Sequence, residues 1–209
     1  MLDYIRDPAE ILRRSFAIIE EETSLAGLAE DIRPVAARIV HACGMPEVVA
    51  DLAFSDGAGD IGKRALQRGA PILCDVRMVA AGVMTNRFPA RNPVTVAIEE
   101  DGAEELAQRT GQTRSAAGMQ LAAGRLKDSV VTIGNAPTAL FRLLELVADS
   151  AERPALVLGF PVGFVGAAES KAALATNDLG VAFITLRGRR GGSAIAAAAL
   201  NALILDLDA

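Results

Sequence analysis

A chain of 209 residues with 51% hydrophobic content and a net charge of −5 can bury a large core in one unit, and its acidic balance argues against nucleic acid, which usually selects a basic surface. No apolar run reaches the roughly 18 to 20 residues of a membrane span, and the charged opening MLDYIRDPAEILRR is unlike a secretion signal, so a soluble, cytoplasmic protein with no membrane partner is expected. Cys43 and Cys74 are too few for a disulfide framework or a structural zinc site, which leaves two reduced thiols and no metal as the expectation.

Residues 1–69 read as a mainly helical segment. DPAEILRRSFAIIEEE carries apolar side chains at Ile11, Leu12, Phe16, Ile18 and Ile19, with Asp7 as N-cap and Pro8 at the first helical position. Ser15 lies between Ile11 and Ile19 on the face this spacing would bury, and a hydroxyl there must find a partner, ordinarily its own helix. A second helix follows in LAEDIRPVAARIVHACG, closed by Gly44. Its stripe is Ile32, Val35, Ile39 and Cys43. Arg38 and His41, the only histidine, stand at i and i+3 close to one face. By residue type alone, a lone histidine on an amphipathic helix is more often structural than catalytic.

PEVVADLAFSD reads as a further helical stretch. GAGDIGK, residues 57–63, satisfies G-x-G-x-x-G and most of G-x-x-x-x-G-K. A phosphate loop needs a preceding strand and a Ser or Thr after the lysine, whereas Arg64 stands there and Asp60 would repel phosphate. A helix N-terminus is the better reading of this loop.

From residue 70 to 209 the rhythm changes to strands alternating with helices. The apolar runs 71–75, 94–98, 129–135, 155–160 and 181–188 have strand length and no polar face, which implies strands covered on both sides in a mostly parallel sheet. One α/β unit over 1–209 is expected. In such sheets ligands bind beyond the carboxyl ends of the strands, which directs attention to DVRMVAAGVMTNRF, GNAPTALF, GFPVGFVGAAESK and RGRRGGSAIAAAALNAL. The last sets two glycines between arginines and a helix of small residues, either an anion site at a helix start or a turn that needs positive φ. Arginines number 18 against 3 lysines. A GC-rich genome gives the same excess, so the skew permits a polyanionic ligand gripped through two parallel hydrogen bonds without specifying one.

RRSFAII, IVHACGMPE, DVRMVAAGV, GNAPTAL, GFPVGFVGAAESK and RGRRGGSAIAAAALNAL, in this order along nearly the whole chain, resemble the signature segments of the precorrin-8X methylmutase family of cobalamin biosynthesis. The resemblance implies a doubly wound α/β fold, a homodimer with its active site near the subunit interface, and no cofactor. It implies a reaction as well: the methyl group on C11 of the tetrapyrrole moves to C12 in a 1,5-sigmatropic shift, giving hydrogenobyrinic acid. The family's proton donor and acceptor carries over to His41, and its substrate-binding positions to Ser15 and Arg38. Arg77, Thr85, Arg114, Asn135 and the GFPVGF loop fall in matching blocks and are candidate substrate contacts. An imidazole, with an ordinary pKa of roughly 6.5, has both forms available near neutrality. A noncatalytic tetrapyrrole carrier and a nucleotide-dependent enzyme using residues 57–63 are the competing readings. Whether the macrocycle carries cobalt, and whether product passes directly to the next enzyme of the pathway, are left open.

Overall fold

The computed structural model describes residue 2 and residues 4–205; Met1, Asp3 and residues 206–209 of the expected 1–209 unit lie outside the described residues. In chain order the elements are α1 (Pro8–Glu22), α2 (Arg33–Cys43), β1 (Leu52–Phe54), α3 (Ala58–Gln67), β2 (Ile72–Cys74), α4 (Arg77–Ala81), β3 (Val94–Val96) and α5 (Ala103–Thr110). After them come α6 (Arg114–Leu121), β4 (Val130–Ile133), α7 (Pro137–Ala148), β5 (Leu156–Gly159), α8 (Ala167–Ala175), β6 (Phe183–Leu186) and α9 (Ser193–Ala202). The strands form one sheet in the order β1-β6-β5-β4-β2-β3. β2 to β6 are mutually parallel, and β1 joins β6 antiparallel. Among the described residues no helix is long and apolar enough to cross a membrane.

Side chains alternate across the sheet and divide its interior into two layers. Ile72, Cys74, Val130, Leu156, Leu158 and Ile184 pack with residues of α2, α3 and α9. The intervening Leu73, Val131, Ile133 and Val157 pack with α7, with Leu174 of α8 and with Met119 of α6. Both faces are covered. This is why the strand sequences lack a polar stripe.

Local signals set the helix ends. Asp7 accepts a 3.2 Å hydrogen bond from the Ala9 N–H, and Pro8 occupies the first helical position of α1. Gly44 ends α2 in the left-handed region at φ 66°, where a side chain would be strained.

PEVVADLAFSD departs from its helical reading. Pro46–Asp51 is a run of 3-10 turns and Leu52–Phe54 is an edge strand, with Leu52 opposite Leu186 and Phe54 opposite Ile184. Three residues are too few to display a period of two, and the apolar spacing ahead of them fits a tight turn as well as a helix. A strand therefore does precede GAGDIGK, contrary to the sequence reading.

At the order reversal between β2 and β4, where a doubly wound sheet normally opens to ligands, Asp75 fills the crevice. Its carboxylate accepts from the N–H groups of Gly134 (3.0 Å), Asn135 (2.9 Å) and Ala136 (3.0 Å). Burial pushes this carboxyl above its ordinary value, and the three N–H donors oppose that rise.

Candidate active site

α1 and α2 pack so that three side chains assemble on their shared edge. Phe16 of α1 stacks on the His41 ring, with centroids 5.2 Å apart and planes 8° from parallel. The Arg38 guanidinium carbon lies 5.1 Å from the centroid of the same Phe16 ring. Arg38 precedes His41 by three residues on α2, so one aromatic plate steadies both. Burial lowers the Arg38 pKa from its ordinary value, and the guanidinium is half-buried.

These residues border a trough of about 520 Å³ lined by Leu12, Arg38, His41, Ala42, Gly82, Met84, Arg87, Ala194, Ala197, Ala198, Asn201 and Leu205. Its floor is the alanine face of α9, one side is α2 with Leu12 of α1, and the other is the turn after α4. The lining is mainly apolar and two of its arginines can receive anions. A planar, apolar molecule with acidic substituents suits that combination. The trough lies along helices, and the crevice beyond the strand ends, where the topology directed attention, is occupied by Asp75. Of the segments following strands, DVRMVAAGVMTNRF and RGRRGGSAIAAAALNAL do supply lining residues.

Within this chain the expected site residues divide into two groups. His41 and Arg38 line the trough, and Ser15 lies three residues beyond Leu12, half-buried beside Phe16. The α1 face bearing Ser15 is less buried than its spacing implied, since Ile11 is 45% exposed while Ile19 is 8%. Arg77, Thr85, Arg114 and Asn135 are exposed and outside the trough lining. Arg77 pairs with Glu99 at 2.5 Å, which raises its pKa. Arg114 faces Glu104 more loosely at 3.8 Å. The GFPVGF loop presents Phe164 to solvent, 84% exposed, with the Arg189 guanidinium carbon 5.3 Å from its ring centroid. It too stands apart from the trough within one chain.

Neither alternative anion site is open. The α3 N-terminus formed by GAGDIGK already holds an anion, because the Asp31 carboxylate accepts from the N–H groups of Gly59 (2.9 Å) and Asp60 (3.4 Å). A Cβ at Gly59 would lie 2.1 Å from the Asp31 carbonyl oxygen, so this glycine permits close packing against the α2 entry. At RGRRGG, the Gly192 N–H donates to the Phe160 carbonyl at 2.8 Å, and a Cβ on Gly191 would meet that same oxygen at 2.3 Å. The glycines there interlock two loops. Lys171, 1% exposed, donates from Nζ to the Arg190 carbonyl beneath them. Burial pulls its pKa down to about 8, against the attraction of Asp51. Among the described residues no cluster of three or more His, Cys, Asp or Glu could hold a metal ion.

Sequence reasoning missed Phe16 as the plate under His41, and it missed Arg87 and Asn201 as lining residues. Asn201 did carry a signal, being the one polar residue in the interior of an alanine- and leucine-rich helix. Arg87 carried none, because nothing in a turn sequence tells which arginine faces a cleft.

The CbiC precorrin-8X methylmutase family model matches residues 10–205. Precorrin-8X methylmutase of Pseudomonas aeruginosa is 56% identical over 206 residues, covering 99% of both chains. The enzyme of the same name from Sinorhizobium sp is 53% identical over 201 residues, covering 96% of both. Among solved structures, precorrin-8x methyl mutase from Thermus thermophilus superposes with a TM-score of 0.82 at 38% identity, covering 93% of this chain and 95% of that one.

Proposed function

We propose, from the premise that this chain belongs to the precorrin-8X methylmutase family and is an isomerase of cobalamin biosynthesis, that His41 lends a proton to the macrocycle while a methyl group moves from C11 to C12. Substrate and product are isomers, so the shift needs no oxidant, no group donor and no cofactor. Protonation of the conjugated system near ring C makes it electron-poor and favours migration. The proton then returns to the imidazole, and the enzyme ends as it began. A positioned acid of this kind contributes typically about 10²–10⁴-fold.

The other residues act by placement. Arg38 clamps a peripheral carboxylate through its planar fork, Ser15 adds a polar contact one turn along α1, and Phe16 fixes the plane of the imidazole. Holding the migrating carbon over its destination is worth several kcal/mol at minimum, about 7–11 in well-oriented intramolecular cases. The single observation that carries the reading is the chain's one histidine, stacked on an aromatic ring beside an arginine in an apolar trough.

The trough opens to solvent, the exposed Met84 stands on its lining, and Phe164 and Val165 expose further apolar surface elsewhere on the chain. A homodimer that covers this opening suits the reading, and in it Thr85, Asn135, Arg77 and Arg114 complete the binding of the acidic rim. Arg114 exchanges its loose Glu104 partner more readily than Arg77 exchanges Glu99. The names of both relatives above say precorrin-8X and not a cobalt-precorrin, which supports a metal-free macrocycle as substrate, and the enzyme works in the cytoplasm. Release of product directly to the following enzyme fits an open trough.

Purified protein mixed anaerobically with precorrin-8X is expected to give the absorption change of hydrogenobyrinic acid formation. His41→Ala should reduce turnover by about 10²–10⁴-fold while still binding the macrocycle. Turnover at the parent rate by His41→Ala would overturn the proton-donor role, and macrocycle binding without turnover by the parent protein would leave a trough that only binds.

A further inference from the structure

We propose that Arg87 is a second receptor for a substrate carboxylate and that Asn201 positions it, the pair deciding which edge of the macrocycle faces His41. This rests on the reading that the trough holds a polycarboxylate tetrapyrrole.

Asn201 is 5% exposed and sits on α9 among alanines and leucines. A polar side chain in such surroundings is costly unless both ends of its amide are satisfied. Both are satisfied by one turn: Nδ2 donates to the Gly82 carbonyl at 2.9 Å, and Oδ1 accepts from the Met84 N–H at 3.0 Å. The same turn is pressed against α9, since a Cβ on Gly82 would lie 2.7 Å from the Ala197 Cβ. Its continuation closes with the Arg87 N–H donating to the Met84 carbonyl at 2.9 Å. Arg87 thus begins three residues from a doubly bonded anchor, and it lines the trough together with Arg38 and His41. Among the described residues, the ion pairs of the arginines do not include one between Arg87 and a carboxylate.

A tetrapyrrole rim carries acetate and propionate arms all round. One arginine holds such a disc by a single point and leaves it free to swivel, which would bring several ring positions past the imidazole in turn. Two arginines on different elements, α2 and the turn after α4, fix its rotation. The methyl shift occurs between one pair of adjacent carbons, so rotation must be fixed for the acid to reach the correct ring. The geometry gives Arg38 and Arg87 that task, with Asn201 setting the distance of the second anchor from α9.

Steady-state kinetics on precorrin-8X test this. Arg87→Gln should raise KM by roughly 10- to 100-fold, the usual range for loss of a hydrogen bond to a charged group, and Arg87→Lys should recover part of it. Asn201→Leu keeps the branched shape and the number of heavy atoms and removes both bonds to the turn. It should raise KM in the parent enzyme but by less than about twofold in the Arg87→Gln background, because residues acting through one another are not additive. An unchanged KM in Arg87→Gln, or a full multiplicative effect of Asn201→Leu in both backgrounds, overturns the proposal. His41→Ala is run alongside. If it turns over normally, the reading of the trough itself fails, whereas a His41→Ala that has lost turnover together with a parent-like Arg87→Gln sinks only the second anchor.

Discussion

Replacing Phe16 by leucine removes the aromatic plate while keeping an apolar side chain of similar reach. Two contacts disappear: the stack on His41 at 5.2 Å and 8°, and the cation–π contact with Arg38 at 5.1 Å. An aromatic pair is worth about 0.5–1.5 kcal/mol beyond its buried area, and a partly exposed cation–π contact about 0.5–1 kcal/mol. The sum, about 1–2.5 kcal/mol, converts at about 1.36 kcal/mol per tenfold to a fall in kcat/KM of roughly 5- to 70-fold if the full interaction serves to orient the two groups. The His41 part should appear in kcat and the Arg38 part in KM. Thermal unfolding should drop by about 2–4 °C per kcal/mol for a chain of this size. The assays are absorbance kinetics on precorrin-8X and differential scanning calorimetry. A Phe16→Leu enzyme with kcat and KM both within twofold of the parent would refute the orienting role, whatever its melting temperature.

Two further substitutions probe the surroundings. Asp31→Ala leaves the Gly59 and Asp60 N–H groups without their carboxylate, which should cost about 1–2 kcal/mol as loss of a charged helix cap; chemical denaturation reads this, and stabilisation of the parent protein by ATP or NAD in a thermal-shift assay would show that the loop accepts a nucleotide despite Asp31. Lys171→Met tests the buried ammonium. Its folded pKa of about 8 lies below the ordinary 10.5, so the unfolded chain binds more protons between those values and this group makes stability rise as pH increases from about 8 towards 10. Stability curves at several pH values should show that rise in the parent and lack it in Lys171→Met. Parallel curves would refute the assignment.

The four interior strands β2, β4, β5 and β6 were legible because burial on both faces leaves uniform apolar runs, and the half-buried edge strand β3 was legible from its apolar run alone. Asp7, Pro8 and Gly44 marked helix ends because capping is a local matter. β1 escaped because its three residues acquire meaning only from pairing with β6, a contact more than 120 residues away in sequence. His41 and Arg38 were visible as neighbours on one helix. Their common support was not, since Phe16 reaches them from another helix and reads as an ordinary core position. Arg87 shows the same limit more sharply: its placement depends on Asn201, over a hundred residues further along the chain. The tenant of the crevice, Asp75, likewise follows from the register of β2 against β4 and has no sequence signature of its own.

A carboxyl group built into the mouth of the sheet means that the protein places its own side chain where a doubly wound relative would admit a phosphate. The gate is closed from inside, by a side chain that three backbone N–H groups hold. On the proposed reading a large flat substrate meets the outer helical flank instead, where a second subunit can close over it and where side chains can be exchanged without disturbing the strands beneath.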